Sequence, residues 1–456
     1  VYDMGFGGIG GLMTLGAPLV SAGGAVAKIY GAAWGKSADP ALARTDDAVG
    51  MVAAAGVGMT PVTNDFDNAE IYRDITEVTD SLGNVFVRIP KFWIRKTDGV
   101  DFKTWQISAR PFEGAYLPWC FWDFATSKPL PYIFVGKYNA TLSGDNKLES
   151  KPGLPPLVSR NIVQFRGYAQ ANGGTYQQLD IHVMDVIQTL FYVEFATLHS
   201  QSVMAGFTSG RYTATDLATV AESSTNRIIV ANATAALYEV GQTISVGTSQ
   251  GGNQIFYGRT ITAKTAYDAE NTAIEFDGAP VNIAVGNMLY NTGWISGFSS
   301  GIAASSGSLV SNSTGKSPCK YRGIENPWGS IWQFVDGVNV NEYQAWVCKN
   351  AASYASNLFA DPYEQLSYVN HNADGYITAM GFDPDRPFAA LPVAIGGGAG
   401  TYYADYYYRA AGQRIALVGG RWNDASVAGV SALDLGGTSG SASVSIGGRL
   451  LAKTLL

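Results

Sequence analysis

Three histidines, three cysteines and scattered carboxylates are what this chain offers for acid–base, nucleophilic or metal chemistry. Their spacing does not assemble such a site. His182, His199 and His371 lie far apart, with no His pair at metal-ligand spacing and no serine nucleophile elbow. His182 and His199 sit on or beside a predicted helix and read as structural. Asp185 and Glu194 are nine residues apart, which puts them off a common helix face for paired-carboxylate work. Cys120, Cys319 and Cys348 read as buried thiols, with a Cys319–Cys348 bridge as the alternative. The expectation is a protein that is not an enzyme, with no catalytic residues, no metal and no cofactor.

Binding chemistry is better represented. Gly419-Gly420-Arg421-Trp422-Asn423-Asp424-Ala425-Ser426-Val427-Ala428-Gly429, then Leu433-Asp434-Leu435 and Ile446-Gly447-Gly448-Arg449-Leu450, frame a run of small polar residues from Gly436 to Ser445. A backbone held by Gly and Trp that presents interchangeable short side chains suits a display surface. Upstream, Tyr402-Tyr403-Ala404-Asp405-Tyr406-Tyr407-Tyr408-Arg409 follows the glycine-rich 396–400. Tyrosine supplies large contact area at low entropic cost and keeps a polar tip. Some of these rings must pack inside, and Tyr402, Tyr403 and Tyr407 are expected at the border of the binding face. The predicted contact set adds Asn423, Asp424, Ser426, Val427, Ser431, Asp434, Thr438, Ser439, Ser441, Ser443 and Ser445.

The elements that position these residues are partly readable. Residues 177–199 carry apolar side chains at i, i+3, i+4 spacing without Gly or Pro, which predicts a helix at the centre of the core. Val85–Arg95 and Tyr132–Tyr138 read as strands. Short β runs at 227–230, 242–246, 255–257, 259–262 and 273–276, separated by Gly, Asn and Asp turns, predict an inserted small all-β unit over 207–293. Residues 38–84 read as a small attachment region. Residues 1–37 form an apolar Gly/Ala-rich segment, uncharged from Met4 to Ala27. It is too poor in large apolar residues, and too short of a preceding basic region, for a membrane span or a signal peptide. Burial against identical chains or a larger particle is expected instead. Only 15% of residues are charged and the net charge is -7, which argues against nucleic acid and anionic membrane as partners.

Tyr321-Arg322-Gly323-Ile324-Glu325-Asn326-Pro327-Trp328-Gly329-Ser330-Ile331-Trp332-Gln333-Phe334 resembles the Gly-Asn-Val-Trp-Glu-Trp type motif of the formylglycine-generating-enzyme-like branch of the C-type lectin fold. Together with Gly-Gly-x-Trp…Ala-Gly…Ile-Gly-x-Arg at 419–449, it is similar to the phage tail-tip and variable lectin proteins of that branch. These include major tropism determinants, some of which are diversified by retroelements. The resemblance covers most of 85–205 and 294–456. It implies an α+β, C-type-lectin-like domain in two parts (85–206 and 294–456), whose last strands and loops recognise a host cell-surface molecule, glycan or protein. It also implies a homotrimer on a virion tail, facing the extracellular side and held by other tail proteins.

In such proteins diversified positions descend from Asn-type codons mutated at adenines, giving small, polar or tyrosyl residues. The contact set over 423–445, with Gly436 and Gly437, falls within those types. Gly419, Gly420, Trp422, Ala428, Gly429, Ile446, Gly447 and Arg449 match the scaffold, whereas Gly448 stands where Phe commonly precedes the Arg. The enzymes of the branch use late cysteines, and this chain has none after Cys348. Trp422-Asn423-Asp424 is also similar to an element of calcium-dependent lectins. Those pair it with a nearby Glu-Pro-Asn, and here Glu325-Asn326-Pro327 has another order and lies about a hundred residues upstream. A structural tail or baseplate protein, and a cellular surface-displayed variable lectin, stand as the alternatives.

Overall fold

The computed structural model describes residues 27–455. Strand residues outnumber helical ones, 37% against 12%, so the α+β expectation takes the form of a β-rich fold with one dominant helix. Two helices matter to the core, α1 (Ile162–Gln170) and α2 (Ile181–Phe195). Asp180 caps α2 by accepting from the His182 and Val183 amides, and Ala196 stops it in the left-handed region at φ 50°. Every α2 residue except Phe195 is buried. A helix enclosed on all sides must satisfy its polar side chains internally. Asp185 therefore pairs with Lys96 and accepts from the Tyr116 hydroxyl at 2.7 Å, and Gln188 donates to the Val430 carbonyl at 2.9 Å. Glu194 pairs with Arg322 at 2.6 Å and accepts from Asn64 at 2.8 Å.

Sheets enclose this helix. The largest has nine strands and runs Tyr363–Val369, Gln344–Cys348, Trp332–Asn341, Gln413–Val418, Leu433–Leu435, Tyr406–Arg409, Gly375–Met380 and Pro392–Ile395, with Ile446–Gly447 beside Trp332–Asn341. A five-stranded sheet places Leu450–Ala452 between Tyr176–Gln178 and Tyr132–Gly136, followed by Val85–Pro90 and Thr76–Thr79. A third, of four strands, joins Ala43–Asp46, Tyr30–Trp34, Lys103–Ser108 and Trp93–Asp98.

Two sequence expectations need correction. The run Val85–Arg95 is not one strand. It breaks after Pro90, which has no N–H to continue a ladder, and Trp93–Asp98 joins a different sheet. Nor do residues 38–84 stand apart as an attachment region. Thr76–Thr79 pairs with Val85–Pro90, Gly56–Val57 with Gly307–Ser308, and Phe66 and Tyr72 lie in the main core. Tyr30–Trp34, from the segment read as apolar assembly material, is likewise a sheet strand. The rest of that segment, through residue 26, lies outside the described residues.

Within 207–293, Gly252–Ala266 is a single long strand that absorbs the two short runs 255–257 and 259–262, with register shifts against its partner. It pairs with Thr243–Ser249 and Asn271–Phe276 around a separate apolar cluster that includes Ile228, Ile244, Phe256, Ile274 and Leu289. The unit leans on the C-terminal stretch, with the Tyr212 ring 5.5 Å from that of Trp422.

Arg449 ties the C-terminal stretch to the body. Fully buried, it donates to the carbonyls of Gly136, Lys137, Glu325 and Asn326 and to Gln333 Oε1, at 2.7–3.0 Å. Burial pushes its guanidinium down to about 9, which leaves it charged at neutral pH. A Cβ at Gly448 would stand 2.8 Å from the Phe165 ring, so α1 packs closely against this glycine. No helix among the described residues is long and apolar enough to cross a membrane.

Candidate functional site

Tyr406–Arg409 is a strand, so its side chains alternate between faces. Tyr407 points inward, 0% exposed, and its hydroxyl donates to the His371 carbonyl at 3.1 Å. Tyr406 and Tyr408 take the other face and are half-buried, with ring centroids 4.7 Å apart. The neighbouring strand places Tyr376 directly opposite Tyr406, with rings edge to face at 5.1 Å. Trp332 backs the far end, 6.3 Å from Tyr408. The result is a row of three partly exposed tyrosines over a buried indole, carried on strands of the largest sheet.

Polar groups edge this row. Ser426 is exposed, and its Oγ shares a 2.8 Å hydrogen bond with the Tyr376 hydroxyl. Parallel pairing puts Asp434 beside Tyr408. Asp424 accepts from the Arg421 amide at 3.0 Å and from its guanidinium at 3.1 Å. Burial raises both carboxyls above their ordinary value, against Arg421 for Asp424 and against the Gly436 amide for Asp434. Burial first, then the Asp424 and Tyr406 charges, pushes the Tyr408 phenol up to about 12. Each ring of the row presents an apolar body and a hydrogen-bonding tip. Rings and tips of this kind bind by stacking and by directional polar contact.

The predicted contact residues divide. Asn423, Asp424, Val427 and Asp434 are half-buried, and Ser426 is exposed. In the loop that follows, Thr438 is exposed while Ser439, Ser441 and Ser443 are half-buried. Thr438 donates its amide to Ser441 Oγ at 2.9 Å, and Asn357 donates to Ser439 Oγ at 3.0 Å. Four others are interior and leave the candidate face. Tyr403, 2% exposed, packs edge-on against Trp34 at 5.6 Å, and Tyr407 fills the core. Ser431, 1% exposed, donates its amide to Asp405 Oδ2 at 2.6 Å, and Ser445, 2% exposed, accepts from the Trp332 amide at 2.9 Å. Tyr402 is half-buried but lines a separate cavity with Trp34 and Lys36. Sequence reasoning missed Tyr376, Tyr406, Tyr408 and Trp332. For Tyr406 and Tyr408 the signal was present, since strand alternation ties them to the face opposite Tyr407.

Cys120, Cys319 and Cys348 are buried free thiols, so there is no Cys319–Cys348 bridge. Burial lowers the His182 pKa, and its Nε2 meets the Cys348 carbonyl at 3.0 Å. The runs 247–251 and 297–301 have the letters Gly-x-Ser-x-Gly, but one turns a hairpin and the other ends in the short 3-10 helix Phe298–Gly301. Neither is the strand-to-helix turn a nucleophile elbow requires. Among the described residues no three His, Cys, Asp or Glu side chains gather as a metal site, and both Asp424 oxygens already face Arg421. The chain matches no protein-family model and no curated protein sequence.

Proposed function

We propose that this protein is a virion-associated, C-type-lectin-like receptor-binding protein that recognises a host cell-surface molecule through the tyrosine row and the short side chains around it. The observation that carries the reading is the row itself. Tyr376, Tyr406 and Tyr408 stand partly exposed on strands of the largest sheet, beside a Ser/Thr-rich loop in which Thr438 is exposed. The buried Trp422 and Arg449 are scaffold, and Ser426 and Thr438 are surface, a division of labour suited to display. Several copies on a tail, as a homotrimer or more, would make weak individual sites adequate through avidity.

The test is binding of intact purified protein to whole candidate host cells, compared with a Tyr406→Ala, Tyr408→Ala, Ser426→Ala variant of unchanged thermal midpoint. Binding by the variant should fall at least tenfold. Equal binding by both proteins would remove this face from recognition.

A further inference from the structure

A second recess lies against the far end of the strand that carries Tyr376. Thr378 follows Tyr376 by two residues on Gly375–Met380, where the pairing with Pro392–Ile395 shifts register. There it lines a cavity of about 420 Å³ with Lys36, Asp98, Lys103, Trp34 and Tyr402. That volume lies within the range of about 300–1,000 Å³ usual for ligand sites.

The charges in this cavity are arranged and not merely clustered. One carboxylate, Asp98, bridges two ammonium groups, with Oδ1 2.5 Å from Lys36 Nζ and Oδ2 3.1 Å from Lys103 Nζ. The site is therefore net positive in a chain of net charge -7. Lys36 Nζ also donates to the Gly99 carbonyl at 2.5 Å, and Lys103 Nζ to the Met380 carbonyl at 3.4 Å. An ammonium has three N–H donors, so these bonds leave a third on each lysine. Lys103 is 3% exposed, and burial pushes its pKa down to about 8 despite Asp98, so it is charged at neutral pH and poorly solvated. A poorly solvated cation gains more from an incoming anion than a surface lysine does.

The aromatic wall is held in place at a cost. Tyr402 and Ala404 both occupy the left-handed region, each at φ 56°, where side chains other than glycine are strained. The Tyr402 amide is anchored to the Ala38 carbonyl at 2.8 Å, and its ring meets that of Trp34 edge-on at 6.3 Å. The half-buried Tyr402 ring thus forms a fixed side to a positively charged recess, with the Thr378 hydroxyl and the Asp98 carboxylate as further polar groups.

We infer that this cavity binds a carboxylate-bearing saccharide unit, with Lys36 and Lys103 taking the carboxylate, Asp98 and Thr378 the hydroxyls, and Tyr402 an apolar ring face. A simple organic acid would use the lysines but leave Tyr402 and most of the volume idle. A neutral sugar would leave the unused ammonium donors unpaired. The inference stands without the receptor reading, because it uses none of Tyr376, Tyr406, Tyr408 or Ser426.

The experiment is calorimetric titration of the full chain with digalacturonate and sialyllactose, and with their uncharged counterparts, a galactose disaccharide and lactose. At least one acidic probe should bind, its neutral counterpart at least tenfold more weakly. Lys36→Gln, a partly exposed position chosen to keep the fold, should weaken the acidic probe at least tenfold with an unchanged thermal midpoint. The Tyr406→Ala, Tyr408→Ala variant should bind it like the unaltered chain, which separates this site from the tyrosine row. Absence of binding by both acidic probes, equal binding of acidic and neutral forms, or full binding by Lys36→Gln would each overturn the inference.

Discussion

Asp405 is fully buried, with Oδ2 accepting from the Ser431 amide at 2.6 Å. Gly429 passes so close that a Cβ there would stand 1.9 Å from Oδ1, which is why only glycine serves at that position. Burial pushes the Asp405 pKa well above the ordinary carboxyl value of 3.8, against the lowering effect of the Ser431 and Ala432 amides. A carboxyl raised in the folded state binds its proton more readily there than in the unfolded chain. Its charge therefore costs stability at neutral pH, and the cost is relieved as pH falls through the raised value toward 3.8. The unaltered chain should gain stability relative to Asp405→Asn over that window, by up to about 1.4 kcal/mol per pH unit. Denaturant unfolding of both proteins across the acid range measures this. A pH-independent difference would mean that Asp405 does not titrate there.

At the scale of elements, strand parity decides which tyrosines can meet a partner. Tyr407→Ala should cost about 3–5 kcal/mol by emptying a core position, whereas Tyr406→Ala, one residue away, should cost far less stability and lose cell binding. Chemical denaturation read beside cell binding checks the contrast, and equal destabilisation would contradict the parity. The helix was legible because an uninterrupted apolar period leaves α2 few alternatives. The tyrosine run was not, because a ring with a polar tip suits either side of a sheet, and sequence alone does not say which side the core takes. Tyr376 and Trp332 were out of reach for another reason. They come from 30 and more residues away, and only strand pairing brings them to Tyr406 and Tyr408. Pro90 was visible, yet the β-rich residues on both sides masked the change of sheet that it marks. The cavity at Lys103 depends on three segments, around 34–36, 98–103 and 378–402, whose meeting no local pattern announces.

In the whole molecule, the 207–293 unit and the main body keep separate apolar cores and meet around Trp422. Phe256→Ala should therefore destabilise the inserted unit by about 3–5 kcal/mol while leaving the main body intact. Hydrogen exchange should show the loss of protection confined to 218–289, and loss throughout the chain would mean that the two cores unfold as one. The main body has a different dependence, on order of synthesis. Leu450–Ala452 is an inner strand of its sheet, flanked on both sides, and Arg449 closes onto carbonyls from 136–137 and 325–326. Both lie downstream of the short polar residues at 423–445. A frameshift or stop codon within that stretch thus yields a chain with a gap inside a sheet and buried carbonyls left without donors, whereas a missense change at an exposed position such as Ser426 or Thr438 leaves both in place. Loss of the reading frame and replacement of an exposed side chain therefore have opposite consequences for folding.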